Sequence, residues 1–381
     1  MQKRKIKEAM QNNGIHFHLD AVQDIAGFSM TNIEKEHYAW ILTRATTTSD
    51  EPEFYKYIEQ LSNPIFNKVG VFPNAVYQFL IIIHNDLSAE LFINDFLVAV
   101  EMMAKRDVKK GEIITHRDIA DIRRLRFPRI KIVDTDKVIY CSKVGWKFGL
   151  FFDLDRRDKL DIEAMELDLG KSYRYLSFQY VYELLANEAQ FEEMMKDGWF
   201  PFIEIVGSEY KSLSDSYQNK FHFEDAIDKI VGNFDKGRIE NITNKWWRKP
   251  VFNDKKEILQ AGINAFLQCN NEGYINCINT LLPQVEGIIR IQYFRDTEKG
   301  KHVYLPELLK HLTEKGKTKA GSDSSLLLPL PFLRYLNDVV YSDFDLESGT
   351  IDLSRHSSSH GVAKAEVYTR IKALQAILVL D

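Results

Sequence analysis

The chain has 381 residues, of which 45% are hydrophobic and 28% charged, with a formal net charge of -5. That balance supports a large buried core and excludes collagen-like, low-complexity and charge-extended disordered chains. The net negative charge gives no bulk attraction to nucleic acid or anionic membrane, so binding of either kind has to come from a local patch.

The opening "MQKRKIKEAMQNNG" is charged and carries no apolar core of a secretory signal. The longest apolar runs, 79–83 and 326–333, fall short of the roughly 20 residues of a membrane span. Cys141, Cys269 and Cys277 form no CxxC pair, and their odd number argues against a disulfide scaffold. The expectation is a soluble cytoplasmic protein.

In chain order, 50–63 has an acidic start and spaced apolar positions, which predicts a helix. The apolar stretch 75–107 predicts one or two buried helices, and Thr115 with Asp118 three residues on reads as a capping box. Residues 1–128 are thus expected as a helical N-terminal region. Over 129–155, Val, Ile, Phe and Tyr broken by Asp-Thr-Asp and glycines predict two or three strands, and 201–207 another. Between them, 176–198 predicts a helix stopped by Gly198. The polar stretch 232–254 reads as a linker, completing a mixed α/β region and linker over 129–250.

Beyond it, 253–271, 273–296, 305–316, 330–344 and the terminal segment all show helical spacing, with Pro283 expected to kink or restart the second. Residues 251–381 are therefore expected as a helical bundle. The predicted fold class is α+β and mainly helical, with a mixed α/β N-terminal region followed by a C-terminal bundle.

The terminal segment "SRHSSSHGVAKAEVYTRIKALQAILVL" puts Ala363, Val367, Ile371, Leu374 and Leu378 on one helical stripe. Continued backward, the stripe reaches His360 and His356, with Arg355 one step round. Alternatively, the helix begins among Ser357, Ser358 and Ser359, which are good caps. Three uses of this arrangement compete. One is a capped helix start with partly buried histidines. Another is a metal site on His356 and His360, with His302 or His311 as a third ligand. The third is acid–base chemistry on a phosphodiester, with an imidazole moving a proton and a guanidinium holding phosphate.

Arg355-His356-Ser357-Ser358-Ser359-His360 resembles the Rx4-6H motif of HEPN-superfamily ribonucleases. The helix "LLPQVEGIIR" (281–290) looks like the proline-glutamate-arginine helix of abortive-infection HEPN families. The resemblance covers about 253–381 and implies a HEPN-like bundle with Arg355 and His360 as the catalytic pair. His356 stands at the polar position where Asn is more usual. It further implies a homodimer through the C-terminal bundle, with two motifs facing one cleft. The activity implied is a metal-independent endoribonuclease, a toxin or phage-defence effector without cofactor. It would cut RNA through 2′-hydroxyl attack and be restrained by an antitoxin or released by a trigger protein. A HEPN-like module used for binding or dimerisation alone is the alternative. Glu286 would line the cleft or pair with Arg290, and the pairing is favoured.

Other features carry less. Arg123, Arg124, Arg126 and Arg129, with Arg117, Lys131 and Phe127 beside them, could track an RNA backbone, or be a solvated helix face. Asp153 and Asp155, at strand spacing, could hold a divalent ion for a metal-dependent nuclease, or end a solvated strand. Trp246 and Trp247 in "KWWRK" could stack bases, though an aromatic latch is favoured.

Overall fold

A computed structural model describes residues 14–20, 28–33, 38–155, 157–220, 223–347 and 352–381, with the backbone alone for 28–33 and 38–41. The N-terminal reading against a secretory signal falls on residues 1–13, outside the described residues. The fold is α+β and mainly helical. Contacts divide the chain into two compact units. One runs to Met103 and resumes over Ile122–Gln179; the other comprises Ala104–Asp121 and Tyr180–Asp381.

In the first unit, β1 (Ile15–His18), β4 (Arg44–Thr48), β5 (Phe79–Ile83), β6 (Ser88–Ile93), β9 (Lys137–Val144) and β10 (Lys147–Asp153) form an antiparallel sheet. Its strand order is β1-β6-β5-β9-β10-β4. Two further pairs are β2 (Phe28–Ile33) with β3 (Tyr38–Leu42), and β7 (Ala99–Ala104) with β8 (Ile119–Arg126). Between β4 and β5 lie α1 (Pro52–Tyr57), a π turn and α2 (Asn63–Val69); α3 (Ile162–Ser177) follows β10.

The expected helices over 75–107 are strands instead, and the burial pattern gives the reason. β5 is central, and all five of its residues are buried. Phe79, Ile81 and Ile83 join Phe54, Leu61, Ile65 and Phe66 on one face, where the α1–α2 segment lies. Leu80 and Ile82 join Val138, Phe151, Met165 and Leu169 on the other, beneath α3. A strand covered on both faces shows no alternation, so a short apolar run reads the same as a buried helix. The strands expected within 129–155 are β9 and β10, joined across Gly145 at φ 61°. The capping box at Thr115 and Asp118 is present, but it opens a single 3-10 turn before β8 rather than a helix. His16 and His18 lie in β1. Helix α3 sits so close to β8 that a Cβ on Gly170 would lie 2.5 Å from Arg123 O and Arg124 Cα.

The second unit is helical: α4 (Gln179–Ala186), α5 (Glu188–Lys196), α6 (Ser208–Asn219), α7 (Phe223–Asn233), α8 (Lys236–Trp246), α9 (Pro250–Asn253), α10 (Lys256–Phe266), α11 (Asn271–Thr297), α12 (Leu305–Ala320), α13 (Pro329–Tyr335), α14 (Arg355–Ser359) and α15 (Arg370–Leu380). Residues 201–207, expected as a strand, form buried turns between α5 and α6. The helix expected over 176–198 divides where Asn187 caps α5 by accepting from the Gln190 amide; Gly198 follows α5 at φ 85°. The expected linker 232–254 is mostly α8 and α9. Asp235 caps α8, and Ile239, Ile242 and Trp246 bury one face while its polar residues stay outside. Trp246 is a core side chain, its Nε1 donating to Asp381 3.1 Å away.

Helix α11 runs unbroken through Pro283. It packs on α10, α12, α14 and α15. The terminal stripe is not one helix. Gly361, at φ 68°, ends α14 in a Schellman turn: the Gly361 amide bonds to Ser358 O and the Val362 amide to Ser357 O. The chain then turns through a 3-10 segment before α15, which is buried on nearly all sides.

Candidate functional site

Arg355 and His360 bracket α14, the first at its opening residue and the second at its C-cap. The serines set this geometry. Ser354 Oγ accepts from the Ser357 amide at 3.1 Å, and Ser357 Oγ accepts from the Ser354 amide at 2.8 Å, a reciprocal box. Ser358 Oγ donates to Asn279 Oδ1 of α11 at 2.5 Å. The short helix is thereby capped at both ends and tied to α11.

Glu286 of α11, 9% exposed, is gripped from two sides. Arg355 reaches its Oε2 at 2.8 Å, while Arg290 reaches Oε1 through Nε at 2.8 Å and through a terminal nitrogen at 2.7 Å. The expected Glu286–Arg290 pair is therefore present, and Arg355 completes a triad. Tyr341 lies within electrostatic reach of all three members. Burial raises its pKa above the usual phenol range, with the Glu286 carboxylate adding to the rise, so the hydroxyl remains a proton donor at neutral pH. That hydroxyl and Arg355 Nε are both buried and have no hydrogen-bond partner among the described residues. Two unused donors beside a half-buried guanidinium suit an anionic oxygen.

The histidines face the segment after α13. His356 Nδ1 lies 3.0 Å from Asp343 Oδ1 and its ring 6.5 Å from that of Tyr341. His360 is exposed, its ring 5.7 Å from that of Phe344. The stripe does not continue back to the histidines as it would for a helix starting early: the Gly361 turn ends α14 before α15 begins, leaving His356 half-buried and His360 exposed. Of the third metal ligands, His302 lies in the loop between α11 and α12. His311 is bound to Asp296 at 2.8 Å, and among the described residues no three His, Cys, Asp or Glu side chains gather as a metal site.

Apart from Arg129, the remaining charged candidates have structural partners. Arg123, Arg124 and Arg126 lie on a strand, not on a helix face. Arg124 pairs with Glu101 at 3.1 Å and Arg126 with Glu166 at 2.8 Å; Arg123 approaches Glu101 at 3.7 Å. Arg129 is exposed and Phe127 is core. Asp153 is 6% exposed and faces Arg44 at 3.5 Å, whereas Asp155 accepts from the Arg157 amide at 2.9 Å. Trp247 stacks edge-on against Trp246 and under Lys256. Sequence reasoning placed Tyr341 and Asp343 in the last turn of an expected helix over 330–344 and gave them no role; the helical backbone ends at Val340, and both residues follow it.

Among the described residues no helix is long and apolar enough to cross a membrane. No family model, no curated protein and no solved structure matches the chain.

Proposed function

We propose that the protein is a metal-independent endoribonuclease of the HEPN type, working in the cytoplasm as a toxin or phage-defence effector. The observation that supports this most is the Glu286–Arg355–Arg290 triad at the head of α14, with an exposed imidazole at the other end of the same short helix. Glu286 preorganises the Arg355 guanidinium, which would take the scissile phosphate and stabilise its extra negative charge. His360 would serve proton transfer: the 2′-hydroxyl loses its proton as its oxygen bonds phosphorus, and the P–O5′ bond breaks as the 5′-oxygen gains one. The requirement for a 2′-hydroxyl selects RNA over DNA. His356, oriented by Asp343, would share in proton transfer or tune His360.

A second reading follows from one specific feature. At about 100° per residue, positions five apart point about 140° away from each other, and Glu286 already neutralises Arg355. Within one copy the motif therefore also suits a binding or dimerisation surface that regulates a partner, and catalysis would draw on a second copy to complete the cleft. The experiment is cleavage of single-stranded RNA in EDTA by the wild type, Arg355→Ala and His360→Ala, with sedimentation of each. Removing a proton-transfer or phosphate-holding group is expected to slow cleavage by about 10²–10⁴-fold. Equal activity in all three eliminates the ribonuclease. Unchanged self-association then eliminates the dimerisation surface too.

A further inference from the structure

A second concave site lies in the helical unit, sharing no residue with the α14 cluster. It is a cavity of about 530 Å³ bounded by Lys105–Asp118 and helices α6, α7 and α8. Six cationic side chains and three carboxylates line it. The carboxylates are already used. Glu209 holds Arg238 in a two-pronged pair at 2.8 and 2.9 Å, Glu204 holds Lys245 at 2.5 Å, and Asp118 holds Arg106 at 2.6 Å. Lys105, Arg117 and Lys229 form no close ion pair with a carboxylate among the described residues. Lys105 is the most confined of these: its Nζ donates to Val206 O at 2.5 Å.

The wall supplies two further features. Gly207, at φ 143°, starts α6 without a side-chain cap; the Tyr210 amide bonds to Ile205 O at 3.1 Å, and Gly207, Ser208 and Glu209 line the cavity. Such amides favour negative charge. Ile205, Val206, Ala226 and Ile230 add an apolar lining. Surplus positive charge, an open helix start and apolar wall together describe a receptor for a molecule with a phosphate end and an organic body. The volume is that of ordinary small-ligand sites, about 300–1,000 Å³.

We propose that this cavity binds a phosphorylated small molecule of about nucleotide size, its phosphates held by Lys105, Arg117, Lys229 and the α6 amides. The proposal does not depend on the ribonuclease reading. Burial lowers the Lys105 amine from 10.5 to about 8, against the opposing pull of Glu204 and Glu209 and with the push of Arg238 and Lys245. An arriving anion raises that value again, so binding near pH 8.5 takes up protons.

The experiment is calorimetric titration of the full chain with inorganic pyrophosphate and, in EDTA, with ATP. The wild type, the exposed double variant Arg117→Ala/Lys229→Ala, and Lys171→Ala as a surface control are compared. Saturable binding is expected in the wild type and control, weakened roughly tenfold or more in the double variant. At pH 8.5 the binding heat should vary with the buffer's ionisation enthalpy. Lys105→Met, checked for folding by circular dichroism, should abolish that variation. No binding of either ligand at millimolar concentration overturns the proposal, as does equal affinity in the wild type and double variant.

Discussion

Replacing Lys105 by Met should stabilise the protein at neutral pH. The amine is depressed from 10.5 to about 8, chiefly by burial. A lysine held below its unfolded value penalises folding fully at pH values below the folded pKa. The penalty fades as pH rises from about 8 to 10.5 and is gone above the unfolded value. At pH 7 the difference corresponds to about 3 kcal/mol. Against this stands loss of the bond to Val206 O, about 1 kcal/mol. Methionine keeps much of the side chain's volume, so no large cavity opens. The net expectation is a gain of about 2 kcal/mol in urea unfolding at pH 7, shrinking to zero or below by pH 10. A variant less stable than the wild type at pH 7 would refute the reasoning. So would a gain that stayed constant between the two pH values, because it could not arise from the amine's protonation.

Three further outcomes can be checked. Glu286→Gln leaves Arg355 and Arg290 without their shared counter-charge; the expectation is a loss of about 2 kcal/mol in denaturant unfolding and slower RNA cleavage. Gly170→Ala forces a methyl into the β8 backbone and should cost 3 kcal/mol or more by the scale of severe overpacking, roughly, with Tm falling accordingly. Gly361→Ala meets open space, so only the left-handed backbone resists it. A cost of about 1–2 kcal/mol is expected, alongside weakened RNA cleavage as α14 frays.

The helices of 253–316 were legible because each is amphipathic and one face meets solvent; α10 and α12 follow their apolar spacing closely. The strands of 129–155 were legible through β-branched and aromatic content around a glycine turn. Legibility failed at two opposite extremes. β5 is buried on both faces and loses its period, whereas α8 is so polar outside that only Ile239, Ile242 and Trp246 betray a helix. At the site, Arg355, His356, His360 and Glu286 were all singled out from the sequence. The link between Glu286 and Arg355 was not, because it joins positions 69 apart through the packing of α14 on α11. The Lys105 cavity was invisible for a related reason. Its charges come from separate stretches: Arg117 and Lys245 were read within two unrelated basic runs, and nothing in the sequence joined them to Lys105 and Lys229.

The interleaved course of the chain has a practical corollary. Each compact unit is assembled from separate stretches, so the polypeptide changes unit after Met103, after Asp121 and after Gln179. No single scissile point would release either body intact. A fragment beginning at residue 251 would carry Arg355 and His360 but lack Asp197, whose carbonyl takes hydrogen bonds from Lys372 and Gln375 of α15. It would also bare the α15 surface that meets α7. Dissection by truncation would thus destroy the scaffold it meant to isolate, whereas point substitutions in the full-length polypeptide preserve it.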